Sequence, residues 1–453
     1  MRAPILRVLG GLALASLGAV PLAGQAGRIS YDTFSLANGL RVITSEDHST
    51  PIVAVDVWYN VGSRNERPGR SGFAHLFEHM MFQGSAHVKK AEHFQLIERA
   101  GGEENGSTEE DRTNYWELLP SNRLNLALWL EADRMRSLAI TDSNFHNQRE
   151  TVKEERRLRV DNQPYGKAFT DGLTLPFDST DCFAYAHSVI GDMADLNAAQ
   201  LGDVQAFFDT YYAPNNATVA VVGDFDPAQL RQLVTSYFRD IPARAAADPV
   251  RCSYRLDPGT MRREFTDAHA NLPAVIRLYR IPPHDDADTP ALELMNIILG
   301  QGESSRLNVA IVRRDKAALF AGSQITGSRR GPGTTFVAGI ANQGVGIDHL
   351  DSLLAAQVDT IRASGVTDDE LTKAKNTFRA RFIENRETVL AKAEELQHYA
   401  MFHPTLGEIN TDLEHFMAVT NDDIRRVAMK YLDPANAVML IVTPAAASAG
   451  GAR

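Results

Sequence analysis

Residues 72–82 read Gly72-Phe73-Ala74-His75-Leu76-Phe77-Glu78-His79-Met80-Met81-Phe82. Two histidines four positions apart stand one turn from each other on a single face of a helix. That spacing lets both imidazoles grip one metal ion. Glu78 lies between them, within reach of a proton on water at that metal. The order His-x-x-Glu-His reverses the commoner His-Glu-x-x-His zinc helix. Phe73, Leu76, Phe77, Met80, Met81 and Phe82 make the rest of the segment apolar. Such a helix is mostly buried, and three ionisable side chains on it are costly unless they are paired or bound to metal. The bland alternative is a helix carrying two capped or surface histidines.

A catalytic zinc needs a third protein ligand, a histidine or a carboxylate. The candidate stretch is Gln148-Arg149-Glu150-Thr151-Val152-Lys153-Glu154-Glu155-Arg156-Arg157-Leu158. Helical spacing puts Val152, Glu155 and Leu158 on one apolar face, and Glu154 among solvated neighbours. An acid on an apolar stripe needs a partner. Periodicity leaves two open: a metal, or a buried arginine such as Arg134.

The 453 residues suffice for two to four domains. A formal charge of −11 argues against nucleic-acid binding through a basic surface. Residues 1–26 read as a signal peptide: Arg2 and Arg7 precede an apolar run from Val8 to Leu22, and small residues follow at Ala23, Gly24 and Ala26. The run is short for a membrane span, so an uncleaved anchor is the lesser reading and no stable membrane span is expected. A periplasmic or secreted location follows. Export would expose Cys182 and Cys252 to an oxidising compartment; a disulfide between them and two separate buried thiols both stay open.

The chain reads as built twice. Tyr211-Tyr212-Ala213-Pro214-Asn215-Asn216-Ala217-Thr218 recurs as Tyr431-Leu432-Asp433-Pro434-Ala435-Asn436-Ala437-Val438. Each copy follows an amphipathic helical stretch and precedes a buried-strand run, Val219 to Val222 and Met439 to Val442. Two homologous halves follow: residues 29–241, holding the metal motif, and residues 261–444, which lack it. Residues 242–260 form a linker, and 445–453 a disordered tail. Strands are expected at 41–44, 52–59 and 274–279. Helices are expected at 72–82, 90–100, 121–137, 143–160, 290–299, 305–315, 347–363 and 368–402. Val53, Val55 and Val57 place one face of the second strand in the core. The fold class is α+β, with sandwich-like halves of mixed or antiparallel sheet packed with helices.

These residues resemble the pitrilysin and insulinase-type zinc metallopeptidases, the inverzincins. The likeness runs through Asn38-Gly39-Leu40-Arg41-Val42, Val61-Gly62-Ser63-Arg64-Asn65-Glu66, the helix at 72–82, Gly101 to Tyr115, Glu131 to Met135, Glu154-Glu155, Gly302 to Leu307, and Tyr431 to Pro444. The resemblance implies two halves closing like a clam around a peptide chamber. It implies one Zn²⁺ per chain held by His75, His79 and Glu155, with Glu78 as general base in peptide-bond hydrolysis. It also implies substrate binding along an exposed strand edge through Asn105, Thr108 and Tyr115 (an ordinary surface strand being the alternative), and through Arg306 from the second half. Two positions depart from the family's pattern. Gln148 stands where a supporting glutamate is common. Leu319 and Phe320 stand where a tyrosine would help Arg306 hold the substrate. A homodimer, or a heterodimer with a homologous subunit supplying Arg and Tyr, is therefore expected. The rival readings are a non-catalytic or partner-dependent subunit and, more weakly, a binding protein with a structural zinc. Manganese or cobalt could replace zinc in such a site.

Overall fold

The computed structural model describes residues 27–253, 259–327 and 330–445. The signal stretch 1–26 lies outside the described residues, as does the tail beyond Ala445. The first half contains strands β1 (Asp32–Ser35), β2 (Arg41–Glu46), β3 (Ile52–Tyr59), β4 (Glu103–Thr108), β5 (Thr113–Pro120) and β6 (Ala217–Gly223). Its helices are α1 (Phe73–Met80), α2 (Glu92–Arg99), α3 (Leu124–Ser137), α4 (Asp142–Arg156), α5 (Gly166–Thr170), α6 (Met193–Ala198), α7 (Leu201–Tyr211) and α8 (Pro227–Phe238). The second half contains β7 (Met261–Asp267), β8 (Ala274–Ile281), β9 (Ala318–Gly327), β10 (Gly333–Ala341) and β11 (Val438–Pro444). Its helices are α9 (Thr289–Gly300), α10 (Ile347–Ser364), α11 (Asp368–Glu384), α12 (Val389–Phe402), α13 (Asp412–Ala418) and α14 (Asn421–Tyr431).

The first sheet has the order β1-β2-β6-β3-β5-β4, and the second β7-β11-β8-β10-β9. In the first, β2 and β6 run parallel and every other pair is antiparallel. In the second, β7 and β11 run parallel and the rest antiparallel. Without β1, the two sheets share order and sense strand for strand, as duplication requires. Helix α9 occupies the place of α1 and carries no histidine.

Each sheet packs one face against helices of its own half. The other face is covered by the opposite half. Val389, Ala393, Leu396 and Tyr399 of α12 lie on Ile43, Ala54, Ala220 and Val222 of the first sheet. Gln397 is fully buried there, and its amide nitrogen donates to the carbonyls of Asp56 (2.7 Å) and Thr218 (2.8 Å). In return Ala168, Phe169 and Leu173 lie on Ile276, Leu278, Phe336 and Leu440 of the second sheet. Strand β3 is therefore buried on both faces, which alternation alone does not reveal.

The expected single helix at 368–402 is two helices. The chain turns at Asn385–Glu387, and the Thr388 hydroxyl accepts from the Ala391 amide (3.1 Å) to cap a new start. Residues expected as a helix at 305–315 wind with wider π spacing over Asn308–Arg314. Cys182 and Cys252 are joined in a disulfide, which fastens the segment after α8 to the first half.

Replacing Leu396 by Ala should cost about 2–5 kcal/mol of unfolding free energy, because the side chain is wholly buried between halves. Urea unfolding followed by tryptophan fluorescence checks this; a change under 1 kcal/mol would contradict the interlocked packing.

Candidate metal centre and active site

Helix α1 buries Phe73, Ala74, Leu76, Phe77 and Met80 in the core of the first half. Phe77 packs on Phe207, Phe208 and Tyr212. With that side fixed, His75, Glu78 and His79 face a cavity of about 550 Å³. The start of the helix is held by Glu66. Its buried carboxylate accepts from the amides of Gly72 (2.8 Å) and Ala74 (2.7 Å), and His187 Nε2 lies 2.9 Å from it. An anion suits the positive end of a helix. Gly72 has φ 83°, and a Cβ there would meet the Ile190 carbonyl at 2.8 Å; backbone touches backbone at Gly191.

Helix α4 crosses beside α1 and supplies Glu155. One Glu155 oxygen lies 3.2 Å from His79 Nε2 and 3.6 Å from His75 Nε2. A tetrahedral zinc with bonds of 2.0–2.2 Å sets its ligand atoms roughly 3.4 Å apart, a spacing that these two distances bracket, and all three donors lie within 4.8 Å of one another. The other Glu155 oxygen pairs with Arg159 at 3.0 Å. Glu155 is 17% exposed, against 57% for Glu154, which pairs with Arg157. The alternative of a Glu155–Arg134 pair does not occur: Arg134 is held by Glu117 and Glu131 in a separate buried network. Leu158, expected on the apolar face, is exposed, since the chain widens to π spacing at Arg157–Asp161 and shifts the register.

Burial, and next the positive charge His79 would carry, hold the His75 ring down at about 4, so it is neutral and able to ligate at neutral pH. Burial pushes the Glu78 carboxyl up, against the hydrogen bond it accepts from Thr108 (2.6 Å). A hydrogen bond with His79 leads the effects lowering Glu155. Gln148 places its amide oxygen 3.3 Å from His79 Nδ1, which orients the opposite nitrogen toward Glu155. The sequence shows Gln148 where a supporting carboxylate is common, and its amide oxygen still supplies an acceptor to that ring, without the carboxylate's charge. Glu66 was missed as a support; an acid seven residues before a helix start carries no periodic signal.

Of the substrate-binding candidates, Asn105 and Thr108 line the cavity on β4, the free edge of the first sheet. Tyr115 does not. It lies on β5 between β3 and β4, fully buried, with its hydroxyl 3.1 Å from that of Tyr212. Its neighbours Thr113 and Asn114 are buried with it. Arg306 does not line the cavity either. Glu370 grips it bidentately at 2.6 and 2.7 Å, and the Gly365 carbonyl accepts from it at 3.2 Å. Leu319 and Phe320 are exposed on β9, the edge of the second sheet.

Residues 41–173 match the sequence profile described as Insulinase (Peptidase family M16), and residues 198–378 that described as Peptidase M16 inactive domain. The zinc protease PqqE of Helicobacter pylori is 30% identical over 441 residues, 96% of this chain and 98% of that protein. The chain belongs to the insulinase (M16) peptidase family. A crystal structure of a protease from Helicobacter pylori superimposes with a TM-score of 0.87 at 28% identity, over 92% of this chain and all of that one. The periplasmic protease PqqL of Escherichia coli shares the fold at 18% identity and a TM-score of 0.73; 91% of this chain corresponds to 47% of that one. No helix among the described residues is long and apolar enough to cross a membrane.

Gln148→Ala should weaken zinc binding 10–100-fold, and Gln148→Glu should preserve it, measured by competition with a chelator. Equal affinity in all three proteins would remove Gln148 from the site. In metal-stripped protein, the low pKa of folded His75 contributes stability that is complete above about pH 6.5 and is lost as pH falls toward 4, since only the unfolded chain binds the proton in that window. Denaturant midpoints should drop across that range and drop less in His75→Asn.

Proposed function

We propose that this chain is an exported zinc endopeptidase acting on extended peptides and unfolded polypeptide segments. The reading is carried by one observation: two ring nitrogens and one carboxylate oxygen converge at 3.2 and 3.6 Å beside a half-buried glutamate in an open cavity. His75, His79 and Glu155 would hold Zn²⁺, which supplies Lewis acidity toward water and toward a carbonyl. Glu78 takes the proton of the attacking water and returns it to the leaving amine. Its raised pKa suits both transfers, and the Thr108 hydroxyl keeps the carboxylate turned to the cavity.

Strand β4 gives the substrate its direction. It pairs only with β5, so its other edge is open to an added strand. The Gly106 amide donates to its neighbour's side chain, Asn105 Oδ1, at 2.9 Å. Backbone pairing of this kind reads extension more than side-chain identity. Export is supported by the Arg2 and Arg7 start of the apolar leader and by the Cys182–Cys252 disulfide, which suits an oxidising compartment.

A second reading, a subunit that needs a homologous partner for turnover, is favoured by Arg306 being tied to Glu370 and by the exposed Leu319 and Phe320. Peptide cleavage by the purified single chain would dismiss it.

Glu78→Gln should bind zinc normally and lose 10²–10⁴-fold in kcat; undiminished turnover refutes the assignment. A scan of single backbone N-methylations along a peptide substrate should raise KM at alternate positions. A flat scan would exclude strand addition at β4.

A further inference from the structure

A second cluster of three potential metal donors stands in the other half. His284, in the turn between β8 and α9, meets His398 of α12 and His403 just beyond that helix. One ring nitrogen from each lies within 4.8 Å of the others, the same convergence that defines the His75, His79 and Glu155 group. The ring centroids are 5.3, 5.8 and 5.4 Å apart, with planes inclined by 82°, 84° and 62°. His75 and His79 stand 4.9 Å apart at 88°. The shared point is fixed by the nitrogens themselves, one from each ring converging within 4.8 Å.

The protonation pattern agrees. Glu408 lies 3.1 Å from His403 Nδ1, a carboxylate that fixes the proton on that nitrogen. The opposite nitrogen, Nε2, is then a bare lone pair, and it is buried with no hydrogen-bond partner among the described residues. A buried acceptor without a donor is costly, and a cation removes the cost. Gln148 stands to His79 as Glu408 stands to His403. His284 and His403 also line a cavity of about 450 Å³ that Asp285, Asp286 and Asp412 make acidic, which gives a cation a favourable approach.

A third convergent group, His93, Glu104 and Glu117, does not compete. It sits beside fully buried Arg134, already the cation of that network.

We propose that His284, His398 and His403 form a second site for a transition-metal dication, zinc by preference, independent of the His75 centre. Three imidazoles suit zinc, copper or nickel and reject magnesium and calcium. The position gives the site a structural task. Helix α12 covers the first sheet, whereas the β8–α9 turn belongs to the second half. A metal bridging them clips the exchanged helix to its own half.

The test uses the mature chain, dialysed against buffered Zn²⁺ with excess Mg²⁺, and counts metal per chain by elemental analysis. Wild type should hold two equivalents. His75→Ala/His79→Ala should hold one, and adding His284→Ala/His403→Ala should remove it. The proposal is overturned if the first double variant binds none, or if its metal survives the second pair of changes. Because the fourfold variant could fail to fold, X-ray absorption on zinc-loaded His75→Ala/His79→Ala provides a separate measurement. A first shell with three imidazoles supports the site, and an oxygen-only shell overturns it. Failure of the catalytic reading would appear differently, as wild type holding a single equivalent that H75A/H79A retains.

Discussion

Neither half can bury its own sheet. Each sheet has one face covered by local helices and one face left apolar, and only the opposite half offers a helix to cover it. The contact between Leu396 and the first sheet, mirrored by Ala168 and Leu173 on the second, ties folding of one half to the presence of the other. Hydrophobic burial of this extent is not recovered in an isolated half, so the two copies remain one cooperative unit despite their separate origins in the chain.

The candidate metal centre is built upon that unit from residues of the first half alone. Helix α1 is pinned by aromatic packing beneath and by the Glu66 carboxylate at its start, so its polar side has little freedom. Helix α4 brings Glu155 from outside the core and turns Gln148 to the outer nitrogen of His79. The equivalent helix in the second half, α9, spends nearly its whole surface on packing, with Asn296 satisfied by Thr335 and Ser323.

Much of this was legible in the residues. The His-x-x-Glu-His spacing gave the ligand face, and the apolar neighbours gave its burial. The choice of Glu155 over Glu154 followed from which side of α4 meets Val152. Other features depend on contacts between segments far apart in the chain. Tyr115 reads as an edge residue until β4 is seen to lie outside β5. Arg306 enters as a substrate-binding residue through the family resemblance alone, and nothing in its spacing signals the Glu370 pair 64 residues away. Strand β10 mixes Gly, Thr and Ala without clear alternation, because both its faces are covered. The break at Asn385 uses neither proline nor glycine and is set by the Thr388 hydroxyl.

Gly191 touches more of the centre than its size implies. Its backbone abuts Gly72 at the head of α1, and its carbonyl accepts from Arg156, the neighbour of Glu155. The two ligand-bearing helices and the Val189–Ile190 wall of the cavity therefore share a single mechanical joint. A side chain introduced at Gly191 would press on both helices at once, and the effect would reach His75, His79 and Glu155 together.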